Sequence, residues 1–316
     1  MTTLSTSANN ETRQVERLSA NRLIAIFMMC SALACLSCLD CAAKWLGQQS
    51  FPLIEILFVR YAVAFGLTAL WLNPWRVPGA WHTPKLWLQT LRAVSLLGST
   101  VCMVMAFRTM QLADTIAINF SLPLFIALLA GPILGEHIGL KQWLAIIAGF
   151  GGVLVIAQPG RAHFDPAVFF CFSAVGCNVF YQLATRRLSR QASTASMMLI
   201  STGLATAMLV PLVPSVWIMP QSPAEWIVML VPGTFGALGH FLLVSAYSKA
   251  PAPVIAPFSY TQIAWSSLLG LIVFGDVPGF YTIIGAGIVI LSGLYLIYLE
   301  ARNARSVTDT PPVPAE

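Results

Sequence analysis

The sequence predicts an all-α membrane protein of ten transmembrane helices, built as two inverted five-helix repeats with both termini cytoplasmic. Three observations predict it. Hydrophobic residues make up 57% of the 316 positions and charged residues only 9%, with a mean hydropathy of +0.78; that leaves too little polar surface to wrap a water-soluble globule. Residues 106–136 recur at 246–276: at a constant offset of 140, Ala106-Phe107 stands opposite Ala246-Tyr247, Ser121 opposite Thr261, and Gly135-Glu136 opposite Gly275-Asp276. The first helix recurs too, since Ser31-Ala32, Cys35, Lys44 and Leu46 meet Ser173-Ala174, Cys177, Arg186 and Leu188 at an offset of 142. Two halves with an odd number of spans each face opposite ways in a bilayer, an architecture of secondary transporters.

A helix needs about 20 apolar residues to cross the hydrocarbon core, and basic residues punctuate the ends of the apolar stretches here. The first repeat, 22–158, follows a polar tail at 1–21. Its spans are 22–44, from Arg22 to Lys44; 52–72, before Arg76; 86–107, between Lys85 and Arg108; 113–134; and 142–158, after Lys141. The fourth is the cleanest, without a charged side chain from Thr115 to Gly135. The fifth is the shortest, and Gly149, Gly151 and Gly152 mark it for close packing against a neighbour. The second repeat, 167–299, gives 167–187, ending on Arg186-Arg187; 194–213; 225–247, before Lys249; 253–274, uncharged from Val254 to Gly275; and 279–299, followed by a tail at 300–316.

Of the 17 Lys and Arg, twelve fall in segments that are cytoplasmic if the amino terminus is, three fall outside (Lys44, Arg108, Arg161), and Arg60 and Arg92 fall within spans. This obeys the positive-inside rule and predicts a multi-pass protein of the cell inner membrane. The tails, rich in Ser, Thr, Asn and Pro, are expected to be disordered. The first apolar stretch continues into the repeat and reads as a signal anchor. The net charge of +5 is spread along the chain, so no nucleic-acid partner is expected. All seven cysteines lie in predicted spans; Cys38 and Cys41 have CxxC spacing but apolar neighbours and no second ligand pair, so they read as small packing residues, with no metal or cofactor expected.

Charged groups inside the membrane are expensive and mark function. Counted at about 1.5 Å per residue from the turn near Gln48-Gln49, Lys44 and Glu55 lie at similar depth, and Asp40 and Arg60 lie one to two turns deeper. The four form an expected two-rung ladder, with Asp40 and Lys44 on one helix face. Its rungs serve either as clips that seal the outer mouth or as direct substrate contacts, and in a rocking carrier such pairs act as a gate. Arg92, near the start of its span, is read as interfacial.

The fourth and ninth spans place polar and helix-disturbing residues at matched positions. Asn119, Ser121 and Pro123 answer Ser259, Tyr260, Thr261 and Gln262, with Pro251, Pro253 and Pro257 leading in. Proline frees a carbonyl, which is tolerated where the backbone lines a cavity. The expected midplane cavity is therefore lined by Asn119, Ser121, Tyr260, Thr261, Gln262 and Trp265, with Asn178, Tyr181 and Gln182 of the sixth span opposite Asp40. The bland alternative is that these groups satisfy their own backbone or a neighbouring helix. His240 is read as a buried hydrogen-bonding residue, its alternative being a proton carrier.

The runs Asp40 to Leu46 (D-C-A-A-K-W-L), Glu55 to Arg60 (E-I-L-F-V-R), Leu91-Arg92, Leu112 to Phe125 (L-A-D-T-I-A-I-N-F-S-L-P-L-F), Gly135-Glu136 and Gly149 to Val153 resemble the ten-helix drug/metabolite transporter superfamily in its EamA-domain branch. The second half, with A-P-F-S-Y-T-Q at 256–262 and F-G-D at 274–276, is similar to the bacterial branch that includes riboflavin and S-adenosylmethionine transporters. The resemblance implies alternating access, with four helices of each half rocking about the site while the glycine-rich fifth and tenth pack at the periphery. The partners expected are a small-molecule substrate and the lipid bilayer, and a homodimer is compatible with the sequence. Charge is concentrated in the first half, since Gln182 stands where the first copy has Asp40, and aromatic residues are plentiful for stacking. Riboflavin uptake is therefore the best single reading; the alternatives are S-adenosylmethionine uptake or export of amino-acid-like metabolites or drugs. A membrane-embedded enzyme or a scaffold is the reading from a different class. HExxH, GxSxG and GxxxxGK[ST] are absent and the four histidines stand singly, so no enzyme and no nucleotide motor is expected.

Overall fold

A computed structural model describes residues 2–73, 85–134, 139–159, 165–188, 191–250 and 252–308, and every regular element among them is helical. The first repeat contributes α1 (Thr2–Gln48), α2 (Leu53–Leu72), α3 (Leu86–Phe107), α4 (Leu112–Asn119), α5 (Leu122–Leu134) and α6 (Leu140–Ala157). The second contributes α7 (Val168–Leu188), α8 (Thr194–Leu209), α9 (Pro223–Lys249), α10 (Ala252–Ile255), α11 (Thr261–Leu269) and α12 (Phe280–Thr308). Arg76, Gly135-Glu136, Arg161, Arg190, Pro251 and the tail beyond Thr308 lie outside the described residues.

Among the described residues, eight helices are long and apolar enough to cross a bilayer, and a shorter apolar segment covers Leu112–Ile126. The fourth and ninth expected spans are not continuous. The fourth breaks at Phe120 and Ser121, between α4 and α5. Pro123, second in α5, has no N–H to return to the preceding turn, and the helix starts afresh with the Ser121 carbonyl accepting from the amides of Leu124 and Phe125 (2.9 and 3.2 Å). The ninth changes helix type twice: a 3₁₀ stretch at Ala256–Tyr260, entered through Pro257, precedes α11, and a π-turn at Gly270–Phe274 follows it. At the offset of 140, the turn at 120–121 falls opposite the junction at 260–261.

The amino-terminal segment also departs from expectation. Residues 2–21 are helical and continue into the first span, and α12 runs on to Thr308. Extending a nucleated helix adds one hydrogen bond per residue fixed, so a polar tail follows its span with little opposition.

Packing pairs elements across the repeats. α1 lies antiparallel along α9, with Ala25 and Met29 against Ala246 and Ala250 and Leu46 against Met229. Gly236 and Gly239 admit it: a Cβ at Gly239 would meet the Ala32 carbonyl at 3.1 Å and Leu36 at 3.0 Å. Under exchange of the repeats this pair becomes α7 with α3, where Leu88 packs on Ala184 and Leu188. α2 pairs with α8 through Ala69 and Leu199. α6 crosses α12 at Gly152 and Gly285, where a Cβ on either would come within 2.8 Å or less of the other's carbonyl. Large apolar side chains, among them Phe27, Leu70, Trp87, Leu140, Ile147 and Leu291, are exposed around the bundle, a surface suited to lipid and not to water.

Candidate functional site

The turns at 49–52, 108–111 and 275–279 gather at the end of the bundle opposite the termini, where polar pairs join the two halves. Lys44, in the last turns of α1 and 4% exposed, forms an ion pair of 2.6 Å with Asp276. The Phe274 ring lies under its ammonium, 4.5 Å from Nζ to centroid. Gly275 sets this geometry: its φ of +71° is a left-handed conformation that L side chains rarely adopt, and it turns the chain so that the Asp276 amide returns to the Gly270 carbonyl (3.1 Å). Beside it, Thr282 donates to Asp114 (2.5 Å), joining α12 to α4.

The expected ladder is not formed as drawn. Lys44 takes its partner from the second repeat, and Glu55, fully buried, accepts the amide of Ile218 (2.9 Å) in the segment between α8 and α9. Asp40 and Arg60 make no ion pair within 4 Å; Asp40 accepts from Gln262 Nε2 at 3.4 Å. Depth along a helix places two groups at one level, but the rotation and lateral placement of helices decide whether they meet. Here α1 lies against α9 and α11, which brings Asp276 and Gln262 to it.

At the centre the two interrupted segments touch. Phe120 and Tyr260, the break residues of the two copies, have ring centroids 4.9 Å apart at an interplanar angle of 39°. Ser37 of α1 and Ser266 of α11 share a hydrogen bond of 3.1 Å, and Thr261 donates back to the Phe258 carbonyl (2.7 Å). Ser121 is fully buried, and among the described residues its hydroxyl and the Asn119 Oδ1 have no hydrogen-bond partner. Tyr260 packs towards α12, since a Cβ at Gly293 would overlap its hydroxyl. Trp265 is exposed and Asn178 half-buried.

A cavity of about 480 Å³ opens among α2, α3, α7, α8 and α9, in the half of the bundle nearer the termini. Arg60, Tyr61, Arg92, Tyr181, Gln182 and His240 supply much of its polar wall, with Pro232 and Gly236 on α9. Of the residues expected at the site, it brings together Arg60, Tyr181 and Gln182; Asn119, Ser121, Asn178, Tyr260, Thr261, Gln262 and Trp265 do not line it. A more apolar recess of about 700 Å³ adjoins it and shares Thr68, Met198, Ala237 and Val244.

Arg92 corrects its interfacial reading. It is 4% exposed. Its Nε donates to Thr185 (2.7 Å), one terminal nitrogen to the Met197 carbonyl (2.6 Å) and the Ser201 hydroxyl, and the other to the Tyr181 hydroxyl (2.8 Å). The Tyr181 ring also lies 4.6 Å from the guanidinium carbon. Position near a helix end suggested snorkelling, but hydroxyls of α7 and α8 reach the head group inside the bundle. The available signal was the series of hydroxyl residues Tyr181, Thr185 and Ser201 on the neighbouring spans. No group of three or more His, Cys, Asp or Glu placed to hold a metal occurs among the described residues.

The sequence model of the EamA-like transporter family matches residues 23–158 and 165–299. The chain is 26% identical over 270 residues to the S-adenosylmethionine uptake transporter of Rickettsia prowazekii, covering 84% of this chain and 90% of that protein. It is 25% identical over 283 residues to the riboflavin transporter of Vibrio cholerae, covering 89% and 95%, and 26% identical over 255 residues to the pseudopaline exporter of Pseudomonas aeruginosa, covering 79% and 88%. A solved crystal structure, 18% identical, covers 90% of this chain and 99% of its own with a TM-score of 0.57, so the fold is shared.

Proposed function

This chain belongs to the EamA-like transporter family, a membrane-embedded transport protein and not an enzyme, and from that premise we propose that it takes up a small planar metabolite across the inner membrane by alternating access. The observation that carries this reading is an asymmetry between the two ends of the bundle. One end is drawn together across the repeats by Lys44–Asp276, Asp114–Thr282 and Glu55 on the Ile218 amide, while a cavity of about 480 Å³ lies towards the other. That volume is in the range of small-molecule sites, roughly 300–1,000 Å³. In this reading the pairs are the gate, Tyr181 and Gln182 contact cargo, and the breaks in the fourth and ninth segments let the halves flex about the Phe120–Tyr260 contact.

Riboflavin and S-adenosylmethionine, named for the Vibrio and Rickettsia relatives, both join a flat nitrogen heterocycle to a hydroxylated arm. Riboflavin is the first cargo to test, with the gene expressed in a riboflavin-auxotrophic bacterium that lacks its own carrier and is supplied with limiting vitamin. Growth rescue with saturable uptake of labelled riboflavin would fix that cargo and the direction of transport. Failure of a protein shown to reach the membrane removes riboflavin import and shifts weight to S-adenosylmethionine uptake or to export, the activity for which the Pseudomonas relative is named.

A further inference from the structure

We infer that the cargo carries an oxyanion group, a carboxylate or a phosphate, which docks between Arg60 and Arg92 in the cavity. The inference rests on the carrier reading above and narrows its cargo: of the two compounds named there, S-adenosylmethionine carries a carboxylate and riboflavin carries no oxyanion. Both arginines line the cavity, and among the described residues no Asp or Glu does. Arg60 makes no ion pair within 4 Å and no hydrogen bond among the described residues; its guanidinium carbon lies 5.6 Å from the ring centroid of its own neighbour Tyr61. Asp40, the acid the sequence set beside it, accepts from Gln262 and feels the Arg60 charge without touching the guanidinium, whose N–H donors stay unused among the described residues. Arg92 is hydrogen-bonded by four partners that are all neutral, so its geometry is fixed while its charge is not neutralised.

A guanidinium offers five N–H donors in a planar fork, and four of the five on Arg92 are in use, which leaves one on the nitrogen that faces Tyr181. The Tyr181 hydroxyl accepts from Arg92 and keeps its own hydrogen free to donate. An arginine within a span is costly, about 2.5–3.5 kcal/mol at its centre and less towards an end. Arg92 repays that structurally by tying α3 to α7 and α8. Arg60 makes no hydrogen bond among the described residues, and Asp40 acts on it only through space, so its donors are available to a group in the cavity. A planar fork is the cation best shaped for a carboxylate or phosphate, and two of them facing a cavity without an acid make a receptor for one. Gln182 and His240 add neutral hydrogen-bonding capacity beside it.

The test is equilibrium binding to the full-length protein in mild detergent, with two matched pairs of probes. S-adenosylmethionine is set against its decarboxylated analogue, and flavin mononucleotide against riboflavin. In at least one pair the oxyanion-bearing member is expected to bind at least tenfold more tightly, and Arg60→Gln to reduce that preference below threefold; the first pair reports a carboxylate cargo and the second a phosphate. Equal binding within both pairs, tighter binding of the members without the oxyanion, or no binding of any probe overturns the inference, and none of these outcomes depends on the variant folding. The two readings fail separately. Saturable uptake of a neutral cargo leaves the carrier standing without the oxyanion subsite, whereas oxyanion-selective binding with no uptake or export leaves the subsite standing without the carrier.

Discussion

Asp276→Asn removes one partner of the Lys44 ion pair and leaves an ammonium that is only 4% exposed. Breaking a buried pair in this way costs about 3–5 kcal/mol; because the Asp276 side chain is 24% exposed and water reaches it, the low end, about 3 kcal/mol, applies. Under the proposed alternating access, that energy is lost from the state in which this end of the bundle is shut, where the pair exists, and not from a state in which the halves have parted. At about 1.4 kcal/mol per tenfold, the open population rises roughly a hundredfold. Cys41, one turn before Lys44 and 7% exposed, reports it directly: it packs with Phe107, Leu112 and Ile116 behind the pair. In a version whose other six cysteines are replaced, labelling of Cys41 by a polar thiol reagent is expected to accelerate by about two orders of magnitude in Asp276→Asn. The double variant Lys44→Met/Asp276→Leu, which leaves no orphan charge, is expected to return most of the way to the parent rate. A labelling rate in Asp276→Asn within threefold of the parent, or a double variant as open as the single, refutes the reasoning.

Arg92→Ala is expected to lower stability by about 3 kcal/mol, since it removes charge-assisted hydrogen bonds to α7 and α8; Arg92→Lys recovers less than half of it, because an ammonium lacks the planar fork, and unfolding in detergent measures both. Gly152→Ala drives a methyl towards the Gly285 carbonyl, at 2.8 Å, and is expected to cost about 1–3 kcal/mol. Gly151→Ala, one residue away with nothing within 4 Å of its Cβ, is expected to leave the melting temperature unchanged; equal effects at the two positions contradict the α6–α12 crossing. Phe120→Ala and Tyr260→Ala are expected to be non-additive by about 1 kcal/mol, the worth of an aromatic pair beyond its buried area, and strict additivity in a double-mutant cycle contradicts their contact.

The amino-acid sequence by itself determined the membrane setting, the membrane-spanning class and which two spans carry helix-disturbing residues. Each of these follows from local composition or from periodic spacing: apolar runs of span length, prolines that remove a donor, and an offset of 140 that aligns Phe120-Ser121 with Tyr260-Thr261. Tyr181 and Gln182, which line the cavity, occupy on the sixth span the region that answers Asp40 on the first, whereas the candidates on the fourth and ninth spans do not line it. Tertiary structure alone decided the partners. Lys44 meets Asp276 and not Glu55, Asp40 meets Gln262 and not Arg60, and Arg92 turns inward, because each contact depends on which helix lies beside which and on how each is rotated about its axis. Those choices come from the fit of small residues such as Gly236, Gly239, Gly152 and Gly285 against facing backbone. Helix packing in lipid is governed by such close approach, since lipid provides little hydrophobic drive for one pairing over another.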